Sequence, residues 1–539
     1  MGDNMEKTTN NAKGVLILSI AGILSKVISV VYTPVLNAIL GSEGYGIYVQ
    51  VMDVFLFIYA ITSVGVQPAV AKVVSELSAI GKEDAARNAL NISRVFYLLV
   101  GALASTLMIV FSDSIANKMG SSQISAGIAT LAPCIMITTV LSAYRGFMQG
   151  KGNMKAIAVS QVLEQLLNVA ISLVFAYIFI KTSLPLGVAG AQIGTSVGAL
   201  FACAYLIFAY QRKKYDEIES TDKTKVNFQL ILQRILIYSI PIILSSGLQN
   251  LGGLIDSSNV TTILQSTGYS EAEAHTLYGY YGYYRTLIGV PMVVITAIAT
   301  ATLPSISKLR VLKQGREIRK NTKDALRICL AVSLPSAVGF MMIAKPLYKI
   351  FFNNNEWEAI SLMAFGAFIL VFMAVSQVQA SILQGLNGFY YVLMTFSIGI
   401  LSKIILNYFC VRINAFNING VLIGNFFWYL IPTILNHRKI CKREKIKMSF
   451  IKLLKKPLIA SLVMAAALWV LSWPFDFLYR LVGETRLTCI PELVILIGVG
   501  GFIYLYIMIM IGGIKKSDFD SISPKLLKFM PKFLRKNLK

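Results

Sequence analysis

Residues 14–40 read GVLILSIAGILSKVISVVYTPVLNAIL, an apolar run whose single charge is Lys26. As a helix rising 1.5 Å per residue it would be roughly 40 Å long, enough to cross the ~30 Å hydrocarbon layer of a bilayer. A helix that is hydrophobic all round is buried in a large core or in lipid, so this stretch is expected to be a membrane span. Lys7 and Lys13 precede it in the manner of a signal peptide, but the run is long and lacks an obvious small-residue cleavage site, so a retained first span is expected.

Comparable runs follow at about 46–75, 88–111, 124–149, 155–180 and 187–211, then, after a charged break at 212–225, at about 229–255, 275–304, 321–345, 358–384, 390–411 and 418–436. A basic break at 438–456 leads to two more, about 457–473 and 491–513. The composition agrees: 56% of the 539 residues are hydrophobic and 14% charged, where soluble domains carry roughly a quarter charged. These features predict an all-α polytopic membrane protein of about fourteen transmembrane helices.

The net charge of +24 is distributed by side rather than spread evenly. With the N-terminus placed in the cytoplasm, roughly 39 of the 50 Lys and Arg fall on the inner side and roughly 7 outside, the asymmetry of the positive-inside rule. The densest clusters, 308–327, 438–456 and 515–539, lie beside helix ends, where anionic membrane lipids are the expected partners and nucleic acid is not. Both termini are then cytoplasmic. The six cysteines, Cys134, Cys203, Cys329, Cys410, Cys441 and Cys489, show no metal or disulfide spacing. His275 and His437 have no motif-like neighbours, and no Gly-Lys-Ser/Thr phosphate loop is present. Neither an enzyme nor an ATP-driven pump is indicated. With no cofactor expected, the driving force falls to a coupling monovalent cation, the membrane potential or the substrate gradient.

The first twelve spans contain a repeat. Pro68-Ala-Val-Ala-Lys72 with Gly81-Lys82 returns as Pro304-Ser-Ile-Ser-Lys308 with Gly315-Arg316. Gln149-Gly150 with Gly152-Asn153 returns as Gln384-Gly385 with Asn387-Gly388, and Gly190-Ala-Gln-Ile-Gly194 as Gly420-Val-Leu-Ile-Gly424. Six spans per copy is an even number, so the copies enter from the same side, as a parallel repeat about an axis along the membrane normal. The expected division is an N-terminal six-helix lobe (1–225), a C-terminal six-helix lobe (226–450), two additional helices (451–514) and a basic tail (515–539). Two like lobes suit a central cavity worked by alternating access.

Charges inside the hydrocarbon are costly and normally face a cavity or a partner. Lys26 in the first span, Glu164 in the fifth and Lys403 in the eleventh are deep; Arg285 lies in the outer half of the eighth, and Asp53 in the second is a weaker fifth member. For each, a structural ion pair such as Lys26 with Glu164 competes with a functional role. Three cations against one or two carboxylates favour an anionic substrate such as a diphosphate over a lipophilic cation. Lys26, Arg285 and Lys403 are the substrate-binding candidates, and Glu164 and Asp53 the coupling or counter-charge groups. Pro291 and Pro304 are the hinge candidates. The run Tyr278-Gly-Tyr-Tyr-Gly-Tyr-Tyr284 is expected in the outer interfacial belt, and Asp256 in an outer loop.

Several stretches resemble one family. Leu24-Ser-Lys-Val-Ile28, Gly41-Ser-Glu-Gly-Tyr-Gly46 and Pro68 through Lys72 resemble the start of the bacterial polysaccharide flippases, the group of the stage V sporulation protein B type and the MurJ-type lipid II flippases. The group lies within the superfamily of multidrug, oligosaccharidyl-lipid and polysaccharide exporters. Arg145-Gly-Phe-Met-Gln-Gly-Lys-Gly-Asn-Met154 with Ser160-Gln-Val-Leu-Glu-Gln165 is similar to the sporulation branch, and Tyr284-Arg285 leading to Thr302-Leu-Pro-Ser-Ile-Ser-Lys308 to the eighth helix of the lipid II flippases. The resemblance implies a multi-pass protein of the bacterial plasma membrane, working as a monomer, that flips an undecaprenyl-diphosphate-linked sugar for cell-wall or polysaccharide synthesis. It also implies that Lys26 and Arg285 grip the diphosphate and that the last two helices form an apolar groove for the lipid tail. Unlike the lipid II flippases, this chain has no arginine over 27–35 or 55–60. The rival readings are a drug/cation antiporter on the same fold and a non-transporting scaffold for wall-synthesis enzymes.

Overall fold

The computed structural model describes residues 2–213, 215, 227–445 and 449–513, with side chains from residue 21 onward. The expected basic tail, 515–539, and most of the charged break at 212–225 lie outside the described residues. Among those residues the secondary structure is helical and no strand occurs. Twelve helices are long and apolar enough to cross a membrane, thirteen when one bent pair counts as a single span. The longest of them is itself broken at Gly41, and dividing it there reaches the expected fourteen. The chain is thus an all-α multi-pass membrane protein.

The chain divides into two compact units, Met1–Gly282 with Asn407–Asn417, and Tyr283–Leu406 with Ile418–Lys539. The first unit holds α1 (Gly2–Thr62), α2 (Val66–Ala79), α3 (Glu83–Val110), α4 (Ser112–Lys118), α5 (Ile124–Gly150), α6 (Met154–Phe179), α7 (Leu184–Arg212), α8 (Phe228–Ser266) and the start of α9 (Glu271–Val311). Gly41 joins two spans inside α1 at φ 72°, ψ 174°, a conformation that glycine alone adopts without strain. Elsewhere glycines are needed for space. A Cβ at Gly190, Gly194 or Gly198 of α7 would stand 2.6, 2.4 or 2.5 Å from a backbone oxygen of α6, so this row lets the two backbones touch.

α8 runs well past the expected end near 255. Its polar last turns read as loop in sequence, yet their groups are satisfied inside the unit. Gln50 donates to the Ser257 carbonyl and to Thr261 Oγ1, both at 3.0 Å, while Thr261 and Gln265 donate to the carbonyls of Met119 (3.1 Å) and Gly120 (2.9 Å).

The second unit holds the rest of α9, then α10 (Gly315–Met342), α11 (Ala344–Phe352), α12 (Trp357–Gly366), α13 (Ile369–Gly385), most of α14 (Phe389–Cys410), α15 (Gly420–Glu444), α16 (Phe450–Val482) and α17 (Arg486–Met510). α12 and α13 form the bent pair, at 43°. Lys456 and Arg327 donate to the carbonyls of Gly512 (2.8 Å) and Gly513 (3.2 Å), supplying positive charge where the dipole of α17 ends negative.

The repeated motifs meet in both units. Gly146 and Gly150 of α5 press on α2, where a Cβ would lie 2.6 Å from the Gln67 carbonyl and 2.8 Å from that of Ala71. Gly385 of α13 presses on α9 beside the second copy of the same motif, 2.9 Å from the Leu303 carbonyl. The second contact is displaced by about one helical turn from a strict copy of the first.

Candidate functional site

The tyrosine run at the start of α9 is not an interfacial belt: Tyr278, Tyr280, Tyr281, Tyr283 and Tyr284 are all buried. For the first of them the cause is the close approach of α9 to α1, where a Cβ at Gly46 would sit 1.9 Å from the His275 carbonyl and one at Gly279 2.3 Å from that of Ser42; Tyr283 is instead stacked on Phe352, with ring centroids 3.9 Å apart. The buried hydroxyls then find acceptors. Tyr278 donates to Asp53 Oδ2 at 2.7 Å, and Tyr281, three residues on and on the same helix face, donates to Asp256 Oδ2 at 2.8 Å. Asn407 Nδ2 donates to the other oxygen of Asp256 at 2.8 Å. Asp256 is therefore a buried carboxylate on α8 rather than a loop residue. Donors on both of its oxygens hold the Asp256 carboxyl group in place.

Deeper in the first unit, Glu164 of α6 is paired with Arg145 of α5, Nη2 to Oε2 at 2.6 Å, and Arg145 Nε donates to Ser160 Oγ at 3.1 Å. Both ends of this pair lie in the stretch whose motif resembled the sporulation branch. Lys26, on α1, is half-buried.

In the second unit, Arg285 follows the tyrosines on α9 and is half-buried, while the neighbouring Tyr284 hydroxyl donates to the Gly366 carbonyl at 2.9 Å. Lys403 of α14 is fully buried, with its ammonium 4.1 Å from the ring centroid of Trp428 on α15. α9 passes through Pro291 and Pro304 without a break. Pro291 lines an open apolar cavity of about 510 Å³ whose other walls come from α10, α16 and α17 through Val332, Pro335, Met464, Leu468 and Leu496. Tyr504 ties α17 to α10 beside it, donating to the Ala331 carbonyl at 2.7 Å. At ~100° per residue, Val290, Pro291 and Val294 lie on the face of α9 opposite to Arg285. One helix therefore carries a cation on one face and an apolar cavity wall on the other.

The structure brings Asp53 together with Tyr278 and Glu164 with Arg145; Lys403 meets Trp428. Sequence reasoning passed over Arg145, Asp256, Asn407 and Trp428 as site residues. Arg145 stood in a quoted motif, and its distance from the end of its span was the available signal. Among the described residues no group of three or more His, Cys, Asp or Glu is placed to hold a metal ion.

Residues 11–310, more than half of the chain, match the model of the family described as polysaccharide biosynthesis protein. Stage V sporulation protein B of Bacillus subtilis (strain 168) is 26% identical over 80% of this chain and 83% of its own length. Lipid II flippase MurJ of the same organism is 20% identical over 94% of this chain and 96% of its own. Among solved structures, an inward-facing multidrug resistance MATE family transporter of the MOP superfamily superposes with a TM-score of 0.66 over 81% of this chain and all of that one, at 18% identity. Lipid II flippase MurJ in an inward closed conformation does so with 0.63 over 91% and 98%, at 17% identity. The two structures establish the fold, and the family match establishes kinship: this chain is a member of the polysaccharide biosynthesis protein family.

Proposed function

We propose that the chain is a flippase that carries an undecaprenyl-diphosphate-linked sugar, lipid II or a related precursor, from the inner to the outer leaflet by alternating access. The observation that carries the reading is the division of α9 into two faces. Arg285 stands on one, and a cavity of about 510 Å³ walled by α10, α16 and α17 stands on the other. A lipid-linked diphosphate is amphipathic in the same way: the anion needs cations, and the polyprenyl tail needs an apolar wall that keeps it from water. Lys26 and Lys403 are the further cations proposed for the anion. The kinship with a protein named for lipid II flipping supports this reading over a soluble or enzymatic role.

The antiporter reading needs a carboxylate that exchanges a cation for a drug. Here Glu164 is engaged by Arg145, and Asp53 and Asp256 accept tyrosine hydroxyls. Reconstitution in proteoliposomes with a fluorescent lipid-linked sugar separates the readings. Lys26→Ala with Arg285→Ala is expected to abolish flipping without loss of folded protein; full activity in that double variant rejects the anion clamp. The cavity of the second unit is the proposed tail site, and Pro291 and Pro304 are the proposed hinges.

A further inference from the structure

The internal repeat allows Lys403 and Trp428 to be compared with their own counterparts in the first unit. Lys403 is the fifteenth residue of α14 and Asn168 the fifteenth of α6, the matching helix of the first copy. The alignment of Gly190 with Gly420 places Trp428 opposite Gly198, and the alignment of α6 with α14 places Gly399 opposite Glu164. In the first unit, a Cβ on Gly198 would stand 2.5 Å from the Glu164 carbonyl. In the second, a Cβ on Gly399 would stand 2.6 Å from the Trp428 carbonyl and 3.1 Å from Trp428 Cδ1. The two copies make the same helix contact, but the glycine has changed helices. This exchange opens the space occupied by the indole, with Gly399 against one edge and the Lys403 ammonium over its face.

The pair is unusual in its chemistry. Trp428 is 6% exposed and its Nε1–H has no hydrogen-bond partner among the described residues. A buried polar atom of this kind ordinarily has a partner, and leaving it without one carries a desolvation cost. It sits in the same side chain whose ring face carries a fully buried ammonium, 4.1 Å from the ring centroid. The group that satisfies an indole N–H beside an ammonium is an acceptor, best a charged oxygen.

We infer that Lys403 and Trp428 form a subsite for a phosphoryl oxygen of the substrate, in which Trp428 both holds the ammonium and donates its own N–H. The inference rests on the flippase reading and adds Trp428 as a specificity-determining residue of the headgroup site. In the state described here the ring face holds the ammonium, a contact that weighs more when desolvated. An arriving phosphoryl oxygen takes up the ammonium and the N–H together.

The test uses the full chain in phosphatidylcholine nanodiscs, with Trp357, Trp469 and Trp473 changed to Phe so that Trp428 is the sole indole. Undecaprenyl diphosphate is expected to shift the Trp428 emission, and Lys403→Gln to remove the shift. In the otherwise unaltered chain, Trp428→Phe keeps a ring face and loses the N–H, so the dissociation constant should rise about tenfold. Trp428→Leu loses both and should bind more weakly still, while thermal unfolding of the Phe variant stays near that of the parent. Inorganic pyrophosphate is expected to give the same shift only at much higher concentration. Equal response to pyrophosphate, or to phosphatidylglycerol, overturns the assignment to the substrate headgroup. Native mass spectrometry of the unaltered chain separates two failures. No bound undecaprenyl diphosphate refutes the flippase reading and this inference with it. Bound lipid with unchanged affinity in both Trp428 variants refutes the subsite alone.

Discussion

The Arg145 guanidinium gives two of its donors to Glu164 and Ser160 in a setting where its side chain is 10% exposed. Removing one partner of such a pair leaves a charge without compensation, which is more harmful than removing both. Glu164 is 27% exposed, so water offsets part of the loss. Glu164→Gln is therefore expected to cost about 1–3 kcal/mol, read as a fall in the unfolding temperature of the purified protein. Arg145→Gln combined with Glu164→Gln should recover much of that stability and retain flipping per folded molecule, as a counter-charge role requires. A double variant that is stable but inactive would make Glu164 a coupling group instead. At this scale the sequence was informative about depth and poor about partners. Lys403 and Glu164 were found because a charge in a long apolar run is conspicuous. Asp256 was not, because the Ser257-Ser-Asn259 that follows it lowers local hydropathy, and the Gln50 amide that satisfies polar groups of those turns comes from 207 residues away.

Among the elements, glycine has two different jobs, and the distinction yields opposite expectations at positions five residues apart. Gly41 has open space around the position of a Cβ but a backbone at φ 72°. Gly41→Ala thus meets only conformational strain, about 1–3 kcal/mol, and should fold with a lowered unfolding temperature. Gly46 has the reverse problem: its backbone is ordinary helix, and a Cβ would lie 1.9 Å from the His275 carbonyl. Gly46→Ala forces α1 and α9 apart and pulls the Tyr278 hydroxyl from Asp53. We expect little monodisperse protein on size-exclusion chromatography after Gly46→Ala, and near-normal yield after Gly41→Ala. The turn at Gly41 was legible as a break between two spans. The contact at Gly46 was not, because a helix–helix approach between residues more than two hundred apart leaves no periodic mark on either strand of sequence. The tyrosine run was misplaced for the same reason: aromatic residues near a span end suit an interface on composition alone, and only contacts with distant segments, α1 for Tyr278 and Phe352 for Tyr283, bury them.

For the whole molecule, spans, their number and the repeat followed from hydropathy and spacing, since each is a property of the chain taken in order. Which faces those spans present is a property of packing, and the function depends on it. The tail cavity of the second unit offers a test that leaves every charge in place. Gly501 lines this cavity and has nothing within 4 Å of a Cβ position, so a large apolar side chain can enter without displacing backbone. Gly501→Phe removes space from the cavity and covers apolar wall, so folding should be unaffected or slightly improved. Flipping of a substrate with a full-length polyprenyl tail should slow by about tenfold if the lost contact is worth one or two methylenes' burial. A diphosphate-linked sugar on a short prenyl chain, which needs less of the wall, should be flipped at close to the parental rate. Equal slowing of both substrates would mean that the side chain impedes the motion of α17 against α10 rather than the seating of the tail. Unchanged rates for both would remove the cavity from the translocation path.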